Sequence, residues 1–422
     1  MSWNDRQRSP VRARRRGLTG RLTRRGSVRA GVGLLLAFAS ALMCGGLSVG
    51  LSAERVRLPT QPAGVGWPTE TWPTGAPAPD ADRDALAGAL DLAFGGGAPL
   101  LGETRAVVII EGGQLVAERY AEGFGPDSRL VSWSMAKSVT HALVGIAELQ
   151  GRVDIDKPMG NRRWPPTDER SGIAWRQWLN MVDGQQYLEL GAPSAIASDA
   201  ARMLFGPGRL DAATYAAALP LIHPPSSVWN YNSAGFILVC DALTRVVAGV
   251  AASPDERRAR MSAWMRESLF APIGMRSAQP EFDAQGVFVG SSFVYATARD
   301  FARLGLLYLR DGVWDGRRIL PAGWADFART PSAAANGDVY GAGWWINPAE
   351  GTGRARYSYI DTGPTRDAFY AEGREGQMVL LVPSKDLIVV RLGRFDDRGE
   401  NWKALYDWMG RVARAFPTAS GE

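Results

Sequence analysis

Apolar residues follow three different patterns along the chain, and each pattern predicts a different kind of element. Residues 30–53 form a run of 24 residues without a charge, which is long enough to span a bilayer as one helix. Apolar residues recur at helical spacing in 297–312, which predicts an amphipathic helix. Short, partly β-branched runs separated by turn residues predict strands. The chain therefore combines an N-terminal apolar segment with a body of helices and strands.

The predicted strands lie at the two ends of that body. Residues 105–110 and 114–120 flank a Glu-Gly-Gly turn at 111–113, which is a hairpin signal. Three further strand-like runs follow near the C-terminus, at residues 367–371, 377–382 and 387–392. We therefore predict one antiparallel sheet that draws on residues 104–121 and 367–393.

Helices are predicted around this sheet. Asp80 or Asp82 can cap a helix that ends at a run of glycines, an amphipathic helix covers 131–150, and a final helix covers 401–416. The stretch from about 152 to 335 reads as a mostly helical subdomain. The expected fold class is α+β, an α/β sandwich whose antiparallel sheet is built from both chain ends, with flanking terminal helices and a mostly helical insert.

The N-terminal pattern divides the chain further. Residues 1–29 are basic, residues 30–53 are a transmembrane anchor or a signal peptide, and residues 54–80 carry six prolines and form an extended linker. The body covers 81–416, and residues 417–422 are a tail. Basic residues before the apolar run predict that the N-terminus stays in the cytoplasm while the body is exported to the periplasm or the outer face of the membrane. Cleavage of the segment, and Sec or twin-arginine export, stay open.

Net charge and composition narrow the classes of partner. The chain of 422 residues has a formal net charge of +5, but residues 1–29 contribute +9 and the remainder sums to −4. The body is therefore mildly acidic, which argues against nucleic acid as a partner. Two histidines and two cysteines argue against a zinc site built on these ligands and against a disulfide framework. The oligomeric state is not predicted.

Candidate chemistry begins at Ser134 and Lys137, a Ser-x-x-Lys pair within 131–150. Residues three apart on a helix share a face, so the lysine amine can take the proton of the serine hydroxyl if burial lowers its pKa. Lysine occurs at only four positions in a chain that otherwise uses arginine, and arginine cannot act as a base near neutral pH. Such pairs are common by chance, so other motifs have to support this one.

Two further motifs follow in order. Residues 231–233, Tyr-Asn-Ser, stand on a turn before an apolar helix, where a tyrosine hydroxyl can relay protons. Ser233 is either the N-cap of that helix or a part of the site. Residues 373–377, Gly-Arg-Glu-Gly-Gln, contain glycines that let the backbone approach a ligand closely at the start of a strand.

These three motifs, in this order, resemble those of the serine β-lactamase-like hydrolases. That family includes the class C β-lactamases, D-alanyl-D-alanine carboxypeptidases, related esterases and 6-aminohexanoate-dimer hydrolase. The family is also resembled by the sequence segments 296–316 and 340–345 and by the strand-turn-strand segment near the C-terminus. The resemblance spans about residues 82–416, which is most of the body.

The resemblance implies a serine hydrolase that works through an acyl-enzyme and needs no metal or organic cofactor. It assigns Ser134 as the nucleophile, Lys137 as the base and Tyr231 as the proton relay. The backbone N–H groups of Ser134 and Gln377 are expected to hold the oxyanion. The expected substrate contacts are Ser233, Arg374 and Gly376.

Two departures from the family pattern shape the expected substrate. Tyr-x-Ser stands where class C β-lactamases have Tyr-x-Asn, and Arg-Glu-Gly at 374–376 stands where they have Lys-Thr-Gly. Both argue against efficient β-lactam hydrolysis and bring the chain nearest to the 6-aminohexanoate-dimer hydrolase and esterase branch. The expected function is hydrolysis of a small amide or ester. The alternative is a penicillin-binding-like or β-lactamase-type protein that acts on or senses peptidoglycan or β-lactams with little hydrolytic activity.

Overall fold

The computed structural model describes residues 55–348, 359–364 and 366–419. The predicted basic segment 1–29 and apolar segment 30–53 lie outside these residues. Within the described ranges, no helix has both the length and the apolar character that a membrane crossing requires.

An antiparallel sheet of six strands runs through the body, and its strands come from both ends of it. In spatial order they are β2 (Gln114–Tyr120), β1 (Glu103–Glu111), β11 (Leu387–Arg394), β10 (Gln377–Val382), β9 (Phe369–Gly373) and β8 (Trp345–Ile346). The remaining strands of the described residues form two small sheets, β3 (Leu130–Val131) with β5 (Val294–Ala296) and β4 (Gln279–Pro280), and β6 (Val313–Trp314) with β7 (Arg317–Arg318).

Helices cover both faces of the large sheet. In chain order, the α-helices of the described residues are α1 (Arg83–Phe94), α2 (Ala136–Leu149), α3 (Trp175–Leu179), α4 (Asp199–Leu204), α5 (Ala212–Ala218), α6 (Ser233–Ala248), α7 (Pro254–Met265), α8 (Ala298–Leu309), α9 (Trp324–Ala328) and α10 (Gly399–Arg414). The terminal helices α1 and α10 share one core with the sheet, while α2, α6 and α8 share the other.

Alternate residues of each strand point to opposite faces, which explains why the central strands are apolar at almost every position. In β1, Val108 and Ile110 face the core that contains α2, whereas Val107 and Ile109 face the core that contains α10. The predicted fold class is confirmed. The prediction for the first helix is confirmed as well, since the Asp82 carboxylate accepts the Ala85 N–H at 2.8 Å where α1 begins.

The proline-rich residues before α1 pack on the body instead of standing apart from it as an extended spacer. Trp72 is buried, and its indole N–H donates to the carbonyl oxygen of Arg299 at 3.2 Å. The Arg303 guanidinium donates to the carbonyl oxygen of Pro68 at 2.7 Å. An extended stretch without regular structure leaves its carbonyl groups free, and Arg303 of α8 satisfies one of them.

Candidate active site

A short 3-10 turn, Trp133–Met135, presents Ser134 between β3 and α2. Trp133 has a φ of 44°, which is uncommon for a bulky residue and typical of constrained sites. The Ser132 hydroxyl holds the turn, since it accepts the N–H of Val294 at 3.0 Å and donates to the carbonyl oxygen of Trp133 at 2.8 Å. The half-buried Ser134 therefore sits two residues before α2, where its hydroxyl faces the first turn of that helix.

Lys137, in that first turn, reaches three oxygen atoms with its amine. Nζ lies 3.0 Å from Ser134 Oγ, 2.9 Å from Ser233 Oγ and 2.8 Å from the carbonyl oxygen of Ser291. The Ser291 oxygen can only accept, so Lys137 keeps one N–H directed at it. When the amine is neutral, its lone pair can accept a hydrogen bond from one of the two serine hydroxyls.

Burial lowers the pKa of Lys137 to about 8, and the negative charge of Glu189 opposes part of that shift. Only 1% of the lysine is exposed. A lysine with this pKa is partly neutral near neutral pH, which a proton acceptor requires. The Tyr231 ring, whose centroid lies 4.8 Å from Nζ, stabilises the protonated form that follows.

Tyr231 brings its phenol to the same point. Its hydroxyl lies within hydrogen-bonding reach of Ser134, and burial raises the pKa of the phenol well above its usual value of 10. The ring is stacked on Trp345 at a centroid distance of 5.3 Å and meets Tyr340 edge-on at 6.1 Å. The phenol therefore stays protonated at every physiological pH, held by an aromatic cage, and can donate its proton.

Ser233 is the first residue of α6 and not its N-cap. The cap is Asn232, whose side-chain oxygen accepts the N–H of Gly235 at 3.0 Å. The other end of the Asn232 amide donates to Asp183 at 2.9 Å. Of the two alternatives that the sequence leaves for Ser233, the helix cap is therefore wrong, because the neighbouring Asn232 amide caps α6. The fully buried Ser233 hydroxyl is left free to contact Lys137.

The end of β9 passes directly against the Trp133–Met135 turn (the nucleophile turn, after the role predicted for Ser134). A Cβ atom added at Gly373 would lie 2.1 Å from the carbonyl oxygen of Ser132 and 3.1 Å from Trp133 Cβ. No side chain fits between the strand and the turn. This close approach brings the backbone of the 373–377 turn beside Ser134.

The predicted substrate contacts within that turn have other partners. Arg374 forms an ion pair with Asp397 at 2.5 Å, and its guanidinium lies 5.8 Å from the centre of the Trp133 ring. Gly376 has a φ of 85°, and a Cβ there would lie 2.3 Å from the Phe395 ring. Glycine at 376 is therefore required by backbone conformation and by packing.

Gln377 lies one strand further from the nucleophile than Gly373, with which it pairs across β9 and β10. Its side chain donates to the carbonyl oxygens of Arg374 at 3.1 Å and Gly393 at 2.8 Å, and accepts the Gly393 N–H at 3.0 Å. The side chain thus ties the turn to β11. The role of its backbone N–H in binding an oxyanion stays a prediction.

Arg391 of β11 holds the same turn from beneath. Its guanidinium is buried, has no acidic partner among the described residues, and donates to the carbonyl oxygens of Gly376 at 2.9 Å, Glu375 at 3.2 Å and Leu101 at 2.6 Å. Burial lowers the pKa of Arg391 to about 9, so the group remains charged at neutral pH. Backbone carbonyls and the Thr104 hydroxyl, which lies 3.3 Å from one guanidinium nitrogen, accept its hydrogen bonds.

We expect Arg391→Met to lower kcat for an ester substrate far more than it changes KM. The variant leaves several buried carbonyl oxygens without donors, at about 1–3 kcal/mol each, and frees the turn beside Ser134. A misplaced oxyanion donor costs about 10²- to 10³-fold in kcat. Arg391→Lys, which keeps a buried cation, should restore part of the rate. A wild-type kcat in a folded Arg391→Met protein would show that Arg391 has no positioning role.

Two residues that the sequence did not single out also belong to this cluster. The buried Tyr187 hydroxyl lies beside Ser233 and Glu189, and burial raises the pKa of that phenol well above its usual value. One carboxylate oxygen of Glu189 is buried and has no hydrogen-bonding partner among the described residues. Both follow Asp183 on an irregular stretch with no periodicity, and only their chemical type could have indicated them.

Comparisons of the chain with known proteins show its family. A sequence model of the family described as Beta-lactamase matches residues 101–409. The curated 6-aminohexanoate-dimer hydrolase of Paenarthrobacter ureafaciens is 26% identical over 328 residues, which cover 72% of this chain and 76% of that protein.

Solved structures show the same fold at lower identity. A Bacillus anthracis protein assigned provisionally as a 6-aminohexanoate-dimer hydrolase has a TM-score of 0.58 and 20% identity, and the match covers 83% of this chain and 88% of that one. EstCE1, a hydrolase with promiscuous acyltransferase activity, has a TM-score of 0.58 and 15% identity over 78% of this chain and 99% of its own. A penicillin-binding protein homologue from Caulobacter crescentus has a TM-score of 0.54 and 20% identity, with coverage of 79% and 99%.

Proposed function

The chain belongs to the beta-lactamase family and is a serine hydrolase, and we propose that it cleaves a small amide or ester through an acyl-enzyme on Ser134. The observation that carries this proposal is the Lys137 amine, which lies 3.0 Å from Ser134 Oγ in a buried site. A base within hydrogen-bonding distance is what a serine hydroxyl needs to become a nucleophile.

In the acylation step, the neutral Lys137 amine accepts the proton of Ser134, and Oγ attacks the carbonyl carbon of the substrate. The resulting ammonium is stabilised by Ser233 Oγ, the Ser291 carbonyl and the Tyr231 ring. Tyr231 then donates its phenolic proton to the leaving nitrogen or oxygen, and the lysine ammonium returns a proton to the phenolate. In deacylation the same groups take a proton from water.

Charge on the carbonyl oxygen develops beside the nucleophile turn. The Ser134 N–H supplies one donor, and an N–H of the 373–377 turn supplies the second. Gln377 is the residue proposed for it from the sequence. Gly373, at the end of the strand that touches the turn, brings this backbone close enough to serve. Each such donor contributes about 3 kcal/mol to stabilisation of the transition state.

The substrate class follows from the departures at 231–233 and 374–376. Two similar proteins support this class, since one is named 6-aminohexanoate-dimer hydrolase and the other is described as a hydrolase with promiscuous acyltransferase activity. Arg374 already pairs with Asp397, so it is not a free cation for a β-lactam carboxylate. We therefore propose small amides or esters, and not β-lactams, as the preferred substrates.

We also propose that the protein acts in the cell envelope. Support for this comes from the basic residues 1–29 that precede the uncharged run 30–53, a pattern typical of an export signal or an anchor.

We expect a fluorophosphonate probe to label the full chain at Ser134, with no label on Ser134→Ala. Short p-nitrophenyl esters should be turned over with a higher kcat/KM than nitrocefin, measured side by side at one pH. Absence of any adduct at Ser134 contradicts the proposed function. Higher turnover of nitrocefin reverses the substrate preference, and a long-lived penicillin adduct without ester turnover supports the penicillin-binding alternative.

A further inference from the structure

A cavity of about 610 Å³ lies next to the nucleophile turn, on the side of Trp133. Its volume falls within the range of about 300–1,000 Å³ that is usual for small-molecule sites. The reaction proposed above uses none of its side chains. The cavity therefore needs an explanation of its own.

One wall of the cavity is apolar and largely aromatic. Trp133 meets Phe293 at a centroid distance of 5.6 Å and Phe205 at 6.2 Å, and Leu204 and Val289 complete the wall. Phe205 is 57% exposed, so the aromatic surface continues out to solvent at the mouth. An exposed ring that extends a cavity wall favours an apolar chain that enters from solvent.

Three arginines line the same cavity, and their donors are mostly free. Arg129 and Arg209 are exposed and have no acidic partner among the residues described. Arg105 pairs with Glu103 at 2.7 Å through one nitrogen, but its Nε is buried and without a partner in the described part of the chain. A buried guanidinium donor without an acceptor is costly unless a ligand supplies one.

The two acidic side chains of the cavity already have their donors. The Asp283 carboxylate accepts the N–H groups of Gln285 and Val287 at 2.9 Å and of Ala212 at 3.2 Å. The Glu281 carboxylate accepts a hydrogen bond from Tyr295. The donors of the cavity that lack an acidic partner therefore lie on its arginines, and they favour an anionic ligand.

We propose that this cavity binds a single-chain amphiphile with an anionic head group, a carboxylate or a phosphate. The apolar chain packs on Trp133, Phe205 and Phe293, and the head group accepts hydrogen bonds from Arg129 and Arg209. The proposal goes beyond the hydrolase reaction, because it requires no bond to be made or broken. The ligand thus contacts Trp133, the residue that directly precedes Ser134 in the chain.

Titration calorimetry on the full chain tests the ligand class, with monomeric dodecanoate and dodecyl phosphate as probes. We expect one molecule of either to bind per chain, and dodecanol to bind at least about tenfold more weakly, since hydrogen bonds to charged groups are worth about 1.5–3 kcal/mol. Acetate should not bind detectably. Equal affinity for dodecanol overturns the anion site, and binding to anionic lipid vesicles without binding of the monomers replaces it with a membrane surface.

Variants locate the binding site and distinguish binding in the cavity from non-specific binding to the apolar residues 30–53. Arg209→Gln and Arg129→Gln should each raise the Kd for dodecanoate by about tenfold. Phe205→Ser should weaken the binding of dodecanoate without altering the preference for an anion. Arg317→Gln, an exposed arginine on β7, is the matched control and should bind like the wild type. All of these variants should keep the wild-type rate on a short ester. An unchanged Kd in both Arg129→Gln and Arg209→Gln refutes the assignment.

Discussion

Lys137→Arg is expected to abolish acylation of Ser134 while the protein remains folded. The wild-type amine has a pKa of about 8, so an appreciable fraction is neutral near pH 7 and can take the serine proton. A guanidinium stays protonated near neutral pH and cannot act as a base there. General-base assistance contributes about 10²- to 10⁴-fold to a rate, and we expect a loss in that range in the rate of labelling by a fluorophosphonate.

The pKa of Lys137 also predicts how the acylation rate of the wild-type protein depends on pH. Only the neutral amine is active, so the acylation rate should rise with pH and level off above about pH 8. Below that pKa the rate should fall by about tenfold per pH unit, as the neutral fraction does. Stopped-flow acylation by a p-nitrophenyl ester measures this profile directly. Lys137→Arg should show no inflection near pH 8.

Two controls separate chemistry from folding in this experiment. Lys157→Arg changes an exposed lysine and should leave both the rate and the pH profile intact. Lys137→Met removes the base without placing a larger cation in the buried site, and is informative should the arginine variant unfold. Acylation at the wild-type rate by either folded Lys137 variant refutes the role of this lysine as the base.

The sheet and its helices could be predicted because each is encoded by neighbouring residues. The apolar runs that became β10 and β11 are buried on both faces, so they read as continuous apolar segments. The first helix was predicted from the Asp82 cap and a glycine stop, which are local signals too. Burial on both faces therefore made the strands visible in the sequence, and the capping residue made the helix visible.

The parts of the site that were missed depend on contacts between distant residues. Whether Asn232 or Ser233 caps α6 depends on Asp183, 49 residues earlier, which holds the Asn232 amide in place. Tyr187 and Glu189 reach the site from an irregular loop with no periodicity. The ordered motifs located Ser134, Lys137 and Tyr231, whose meeting depends on the fold as a whole. Loop residues carry no comparable signal.

Gly373→Ala is expected to lower kcat/KM by about a hundredfold, with a loss of stability of about 1–3 kcal/mol. The backbone of Gly373 has a φ of −135°, which alanine adopts without strain. The added methyl group, however, would lie 2.1 Å from the carbonyl oxygen of Ser132. β9 therefore has to move away from the nucleophile turn by roughly 1 Å, and a displacement of that size costs about 10²-fold in rate.

Steady-state hydrolysis of a short p-nitrophenyl ester, combined with thermal unfolding, distinguishes this effect from general damage. Gly172→Ala is the matched control, since a Cβ there meets nothing within 4 Å, and its rate should equal that of the wild type. The loss in Gly373→Ala should appear in kcat, because the displaced turn is proposed to carry the second oxyanion donor and such donors act in the transition state. A wild-type kcat in a folded Gly373→Ala protein would show that the end of β9 takes no part in the reaction, which would remove the 373–377 turn from the active site.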